Sequence, residues 1–199
     1  KQLESFLKPT PKENALAAIL PHAGYIYSGE VALQTAASIE IKENVILLGP
    51  NHTGMGSSFS IVSQGKWQTP LGEVEVNSQI AEKLKRNFAL IKEDNSAHMY
   101  EHSLEVVLPI LQFVSEKEFQ IVPLVLMPAN KTSYEEITQA IYKTITELNI
   151  KDKFSIIASS DMTHYESRES SKEKDNLAIE AFLNLDEDEL IKRIEKYNI

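Results

Sequence analysis

Three of the five histidines in the chain stand just after short apolar runs that are typical of buried strands. His22 lies in PHAGYIYSG, His52 in GPNHTGMG and His164 in SSDMTHY, each beside Gly, Asn or Asp. Neutral imidazole binds divalent metals and, because its ordinary pKa is near neutrality, also exchanges protons. The three loops are therefore candidates for one metal-dependent or acid–base site.

Strand-like and helix-like segments alternate along the chain, and these elements must position the three loops. Four apolar runs are typical of strands in the centre of a sheet, covered on both faces: 15–20, 44–49, 120–127 and 154–159. Segments with apolar residues near helical spacing lie between and after them: 29–39, 78–88, 133–148 and 172–185. This alternation predicts an α/β fold, layered αβα around a mostly parallel mixed sheet. Turn signals within 59–77 predict an added hairpin at one edge of the sheet.

Parallel strands place their carboxyl ends at one edge of a sheet, where ligands bind in folds of this class. Loops more than a hundred residues apart in sequence can therefore converge there. Two imidazoles and a carboxylate would hold a divalent metal and leave coordination positions open for a substrate. His164, three residues after Asp161, is the candidate for moving a proton, with Ser159 and Ser160 as candidate orienting groups.

The central segment HMYEHSLEVVLP contains H-x-x-E-H at His98, Glu101 and His102, the pattern of the inverzincin metalloproteases. That pattern needs both histidines on one helix, whereas EDNSAHMY is typical of a polar loop, so His98 is expected to precede the helix. We expect Glu101 and His102 to stand at a helix start facing the strand-end crevice, where they bind substrate or orient ligands. A capped, solvated helix start is the alternative. Tyr25 and Asn51 are further candidates for substrate binding.

Composition narrows the classes of partner. The formal net charge of −9 disfavours binding to nucleic acid or to an anionic membrane surface. Neither a membrane-spanning run nor the apolar region of a signal peptide is present in the sequence, so a cytoplasmic location is expected. The chain contains no cysteine, so a metal bound by these residues would use imidazole and carboxylate ligands. These ligand types suit iron or zinc.

Four sequence motifs carry a family resemblance that extends over roughly residues 15–199: PHAGYIYSG, LGPNHTG, EHSLEVVLP and SSDMTHY, in this order. With them the chain resembles the Memo-like family, also called AmmeMemoRadiSam system protein B, which is similar in fold to class III extradiol ring-cleavage dioxygenases. The resemblance implies that His22 and His52 are ligands of a divalent metal, with Fe(II) expected and Zn or Cu as alternatives. It also implies that His164, accompanied by Asp161, is the catalytic acid–base residue.

The resemblance also implies what a complete site would contain. Family members carry a Cys-Gly motif beyond the last helix of this chain, and its cysteine takes the position of a third ligand. We therefore expect residues 1–199 to form a single domain that is truncated at its C-terminus. The third ligand would come from beyond Ile199, or be Asp161.

Two functions remain open on the sequence. One is a non-haem iron oxidoreductase resembling the dioxygenases, and the other is a non-catalytic module that binds a small molecule or peptide in the same crevice. The resemblance implies AMMECR-type and radical-SAM proteins as further partners. Retention of ligand affinity after chelation would favour the binding module.

Overall fold

The computed structural model describes residues 2–8 and 10–199. Its helices are α1 (Gln2–Phe6), α2 (Tyr25–Ala37), α3 (Ser78–Asn87), α4 (Ser103–Val114), α5 (Lys131–Leu148), α6 (Arg168–Leu183) and α7 (Glu187–Tyr197). Its strands are β1 (Ala17–Leu20), β2 (Asn44–Pro50), β3 (Phe59–Ile61), β4 (Lys66–Thr69), β5 (Gly72–Glu75), β6 (Ile91–Glu93), β7 (Gln120–Leu126) and β8 (Phe154–Ser159). Among the described helices, none is long and apolar enough to cross a membrane.

The chain divides into two compact units, Lys1–Ser160 and Asp161–Ile199. The first unit contains every strand described here, and the second contains α6 packed against α7. The expectation of one domain over 1–199 stays a prediction.

The first unit is built on a six-stranded sheet in the order β1-β8-β2-β7-β3-β6. All neighbouring pairs are parallel except β3 and β7, which run antiparallel. The predicted α/β fold with a mostly parallel mixed sheet is thus confirmed. Within 59–77, β3 joins this sheet, whereas β4 and β5 form a hairpin that is a second, two-stranded sheet.

The four apolar runs all form strands, but they are not all central. β2, β7 and β8 lie between other strands, whereas β1 is at an edge of the sheet in the described part of the chain. Ala17 and Ile19 are exposed, so the prediction that all four strands are covered on both faces is wrong for β1. A four-residue apolar run has too few positions to distinguish an edge strand from a central one.

Helices cover both faces of the central strands because β2 points apolar side chains alternately to each side. Val45 and Leu47 belong to a core that includes buried residues of α2 and α4. Ile46 belongs to a second core, built with residues of α3 and α5. The result is the expected layering, in which the sheet holds the strand ends in a fixed register.

This register aligns the carboxyl ends of the strands. Leu20, the last residue of β1, pairs with Ser159, the last residue of β8. On the other side of β8, Leu48 of β2 pairs with Ala158. The loops that follow β1 and β2, which contain His22 and His52, therefore leave the sheet at the same edge.

Candidate metal centre

Three imidazole rings form one cluster at this edge of the sheet. His22 lies between β1 and α2, His52 between β2 and β3, and His102 directly before α4. Each offers a ring nitrogen, and these nitrogens all lie within 4.8 Å of one another. The ring centroids are 5.2 Å apart for His22 and His52, 5.7 Å for His22 and His102, and 4.8 Å for His52 and His102. Such a group could hold a divalent metal ion.

The cluster has a buried side and an open side. His22 is only 3% exposed. The side chains of His52 and His102 are 43% and 56% exposed, respectively. A metal held here would therefore be reached by solvent and ligands from the side of His52 and His102.

Glu101 is the buried carboxylate that orients this cluster. Its Oε1 atom lies 2.8 Å from Nδ1 of His52 and accepts the backbone N–H of Ser103 at 2.9 Å, while Oε2 accepts the backbone N–H of His52 at 2.5 Å. The same Oε1 atom is 3.6 Å from Nδ1 of His102. The carboxylate thus contacts two of the three clustered histidines.

The charge state of Glu101 decides the proton position on His52. Burial alone would raise the pKa of Glu101, but the hydrogen bonds from the His52 ring and from the N–H groups of Ser103 and His52 outweigh it and lower the pKa to about 2. An ionised carboxylate only accepts hydrogen bonds, so Nδ1 of His52 carries the proton. In the neutral ring, Nε2 then has the lone pair that binds a metal.

The loop that carries His52 is organised by Asn51. The side-chain oxygen of Asn51 accepts the N–H groups of Thr53 and Gly54 at 3.1 and 2.9 Å, and its amide donates to the carbonyl of Met55 at 2.8 Å. Gly54 has φ of 68°, a left-handed conformation that favours glycine. The Asn51 side chain therefore shapes the loop, and its predicted contact with substrate stays a prediction.

Gly49 allows α4 to start next to the end of β2. A Cβ atom added at Gly49 would lie 2.6 Å from Cδ2 of Leu104 and 2.7 Å from Oγ of Ser103. The Ser103 hydroxyl also donates to the carbonyl of Pro50 at 2.9 Å. Close packing at this point therefore brings Glu101 and His102 to the loop that carries His52.

Gly49→Ala is expected to destabilise the fold by about 1–3 kcal/mol, because a buried Cβ would push the start of α4 away from β2. Urea unfolding measures this change. Gly24→Ala is the matched control, since the nearest atom to its added Cβ is 3.6 Å away and its φ is −52°. Equal stability of Gly49→Ala and the wild-type chain would show that α4 is not held by this contact.

The donor set suits particular metals. Imidazole is a good ligand for iron, zinc, copper and nickel, whereas Mg²⁺ and Ca²⁺ prefer sites made of oxygen atoms. Three protein ligands leave further coordination positions open, which is typical of catalytic rather than structural sites. The residues present therefore fit a divalent transition-metal ion.

A sequence profile of the Memo-like protein family matches residues 1–199. The chain belongs to this family. It is similar to MEMO1 family proteins of Sulfurisphaera tokodaii (46% identity, 94% of this chain and 67% of the relative), Sulfolobus acidocaldarius (41%, 96% and 68%) and Aquifex aeolicus (40%, 96% and 70%). The chain thus spans about two thirds of the length of these relatives.

Three of the four Memo-like motifs of the sequence each supply a histidine to the cluster. PHAGYIYSG and LGPNHTG bring His22 and His52 together, and EHSLEVVLP adds His102. The sequence predicted that His102 binds substrate or orients ligands, and the structure places it in the cluster as a third imidazole. Its substrate-binding role stays a prediction. The position of His102 directly after Glu101 in the H-x-x-E-H pattern was the sequence signal that could have identified it as a candidate metal ligand.

His98, the other histidine of that pattern, lies apart from the cluster. Among the described residues the metal-binding group includes His102 and not His98. The His98 ring stands edge-on to Trp67 with centroids 5.9 Å apart, and burial lowers the pKa of His98. Glu101 is bonded to His52, so the H-x-x-E-H residues do not form the paired-histidine site of a protease.

His164 and Asp161 lie in the second unit and form a pair of their own. Nε2 of His164 is 3.4 Å from Oδ2 of Asp161. The N–H of Thr163 donates to Asp175 at 3.0 Å, which ties this turn to α6. A carboxylate beside an exposed imidazole is an arrangement that can move protons. The proton-transfer role of the pair stays a prediction.

Tyr25 stands in the first turn of α2, and its hydroxyl donates to the carbonyl of Val106 in α4 at 2.9 Å. Burial raises the pKa of Tyr25, which keeps the hydroxyl protonated and able to donate. The bond joins the two helices that begin at the cluster. Substrate binding by Tyr25 stays a prediction.

Proposed function

We propose that this chain binds Fe(II) through His22, His52 and His102 and acts as a non-haem, dioxygenase-like oxidoreductase. The observation that carries the proposal is the convergence of three imidazoles beside a buried carboxylate. Zn or Cu would suit the same ligands, so the metal must be assigned by titration. A small molecule or peptide is the proposed substrate, and AMMECR-type and radical-SAM proteins are the proposed partners.

Each residue of the site would have a distinct role in such a centre. Bound Fe(II) would supply redox chemistry and open coordination positions. His22 is the buried ligand of the three. Glu101 accepts from Nδ1 of His52 and so leaves Nε2 unprotonated. The exposed side at His52 and His102 admits the substrate. We further propose that His164, beside Asp161, takes a proton from the substrate.

Anaerobic titration of metal-free protein with Fe(II) tests the metal centre. We expect one iron per chain in the wild-type protein and at least about 100-fold weaker binding in His52→Ala, because one of three ligands is lost. Parallel titrations with Zn(II) and Cu(II) assign the metal. Equal iron stoichiometry and affinity in both proteins would contradict the proposed site.

Nitric oxide tests whether the iron keeps an open position. It binds Fe(II) where dioxygen would bind and gives a characteristic electron paramagnetic resonance signal. We expect that signal in the iron-loaded wild-type chain. Its absence in a fully loaded sample would show a closed coordination sphere and overturn the dioxygenase-like function while leaving the metal site intact.

A further inference from the structure

A buried chain of hydrogen bonds reaches His22 from behind the cluster. Nδ1 of His22 is 2.9 Å from Oγ of Ser159, and the Ser159 hydroxyl donates to the backbone carbonyl of Ser103 at 2.6 Å. A carbonyl oxygen only accepts hydrogen bonds, so the single hydroxyl proton of Ser159 lies on the side of Ser103. Oγ of Ser159 must then accept from the imidazole, and Nδ1 of His22 carries the proton.

We propose that Ser159 is a positioning residue that holds His22 as the Nδ1–H tautomer, so that Nε2 of the neutral ring has the lone pair. The step from tautomer to metal binding rests on the proposed metal centre. The tautomer itself does not, because it follows from the bonds between His22, Ser159 and Ser103 alone. Metal-binding histidines commonly donate the N–H of their other ring nitrogen to a hydrogen-bond partner, which fixes the tautomer and the orientation of the ring.

Burial makes this arrangement the favoured one. His22 is 3% exposed, Ser159 is 2% exposed and Ser103 is fully buried. If the Ser159 hydroxyl turned to donate to His22, two oxygen atoms would face each other at 2.6 Å without a proton between them. The Ser103 carbonyl would also lose its hydrogen bond, and a buried polar group without a partner is unfavourable.

One short segment thereby orients two histidines from different loops. In the orienting segment, defined as Glu101–Ser103, the Glu101 carboxylate accepts from His52 and the Ser103 carbonyl accepts from Ser159. Ser159 in turn accepts from His22. The start of α4 therefore determines which nitrogen both His22 and His52 present, in addition to supplying His102.

Long-range ¹H–¹⁵N NMR spectra of the metal-free chain test the tautomer directly. At a pH where the rings are neutral, we expect His22 to be the Nδ1–H form in the wild-type chain. Ser159→Ala should move His22 towards the Nε2–H form, which imidazole side chains favour in water. Finding Nε2–H in the wild-type chain overturns the proposal, and this measurement does not depend on any variant that must fold.

Ser155→Ala is the matched control. Ser155 is a buried serine of the same strand, and its hydroxyl accepts from the N–H of Lys42 at 3.3 Å. We expect the His22 tautomer in Ser155→Ala to equal that of the wild-type chain. A shift of the same size in both variants would assign the effect to loss of a buried hydroxyl in β8, and would contradict a specific role of Ser159.

Zn(II) titration of the same proteins provides the second measurement. We expect Ser159→Ala to bind Zn(II) about 10–100-fold more weakly than wild type, the usual effect of removing a partner of a metal-binding histidine. Ser155→Ala should retain wild-type affinity. Unchanged affinity in Ser159→Ala overturns the positioning role. If the wild-type chain binds no metal, the proposed function fails, while the NMR result still decides the tautomer.

Discussion

Glu101→Gln is expected to weaken metal binding by about 10–100-fold and to destabilise the fold by about 3 kcal/mol. The carboxylate accepts three N–H groups: the ring and backbone of His52 and the backbone of Ser103. A glutamine side chain has one oxygen to accept with, and its amide would place hydrogen atoms against the remaining donors. Zn(II) titration and urea unfolding measure the two effects.

The pH dependence of stability checks the same residue. The pKa of Glu101 is lowered from 4.5 to about 2 in the folded chain. The resulting stabilisation, about 3 kcal/mol, is complete above the unfolded value and is lost as pH falls through the folded value. Glu101→Gln should therefore lack this part of the acid-induced loss, so its stability should converge with that of the wild-type chain near pH 2.

Glu105→Gln provides the control for this prediction. Glu105 is an exposed acidic residue in the first turn of α4, and its replacement should change stability by no more than about 0.5 kcal/mol. Metal affinity should also be retained. If Glu101→Gln and Glu105→Gln behave alike, the Glu101 carboxylate does not organise the cluster.

His102→Gln is expected to lower metal affinity by at least about 100-fold, because it removes one of three imidazoles. His98→Gln should leave the affinity within about threefold, since the His98 ring packs against Trp67 and lies outside the cluster. Zn(II) titration of both variants, with circular dichroism as the check of folding, makes the comparison. The two variants remove the same side chain from the same H-x-x-E-H pattern.

If His98→Gln loses as much affinity as His102→Gln, both histidines of the H-x-x-E-H pattern bind the metal. That result would contradict the placement of His98 outside the metal centre. A loss confined to His102→Gln would instead support the three-histidine centre.

Local patterns were enough to predict most of the elements around the site. The apolar runs and helical spacing predicted the strands and helices of the layered sheet, and the rule for parallel strands placed His22 and His52 at one edge. These predictions held because side-chain periodicity and the alternation of strands with helices are properties of the local sequence. The edge position of β1 and the separate sheet of β4 and β5 depend on which strands pair, which local sequence does not encode.

The sequence by itself determined the family motifs, the α/β layering and two histidines of the cluster. Only the tertiary structure decided that His102 completes the group, that Glu101 turns towards His52 and that Ser159 reaches Ser103. The reason is physical. The Glu101–His52 and Ser159–Ser103 contacts join residues 49 and 56 positions apart in sequence, and they need the start of α4 to lie next to the end of β2, which Gly49 allows.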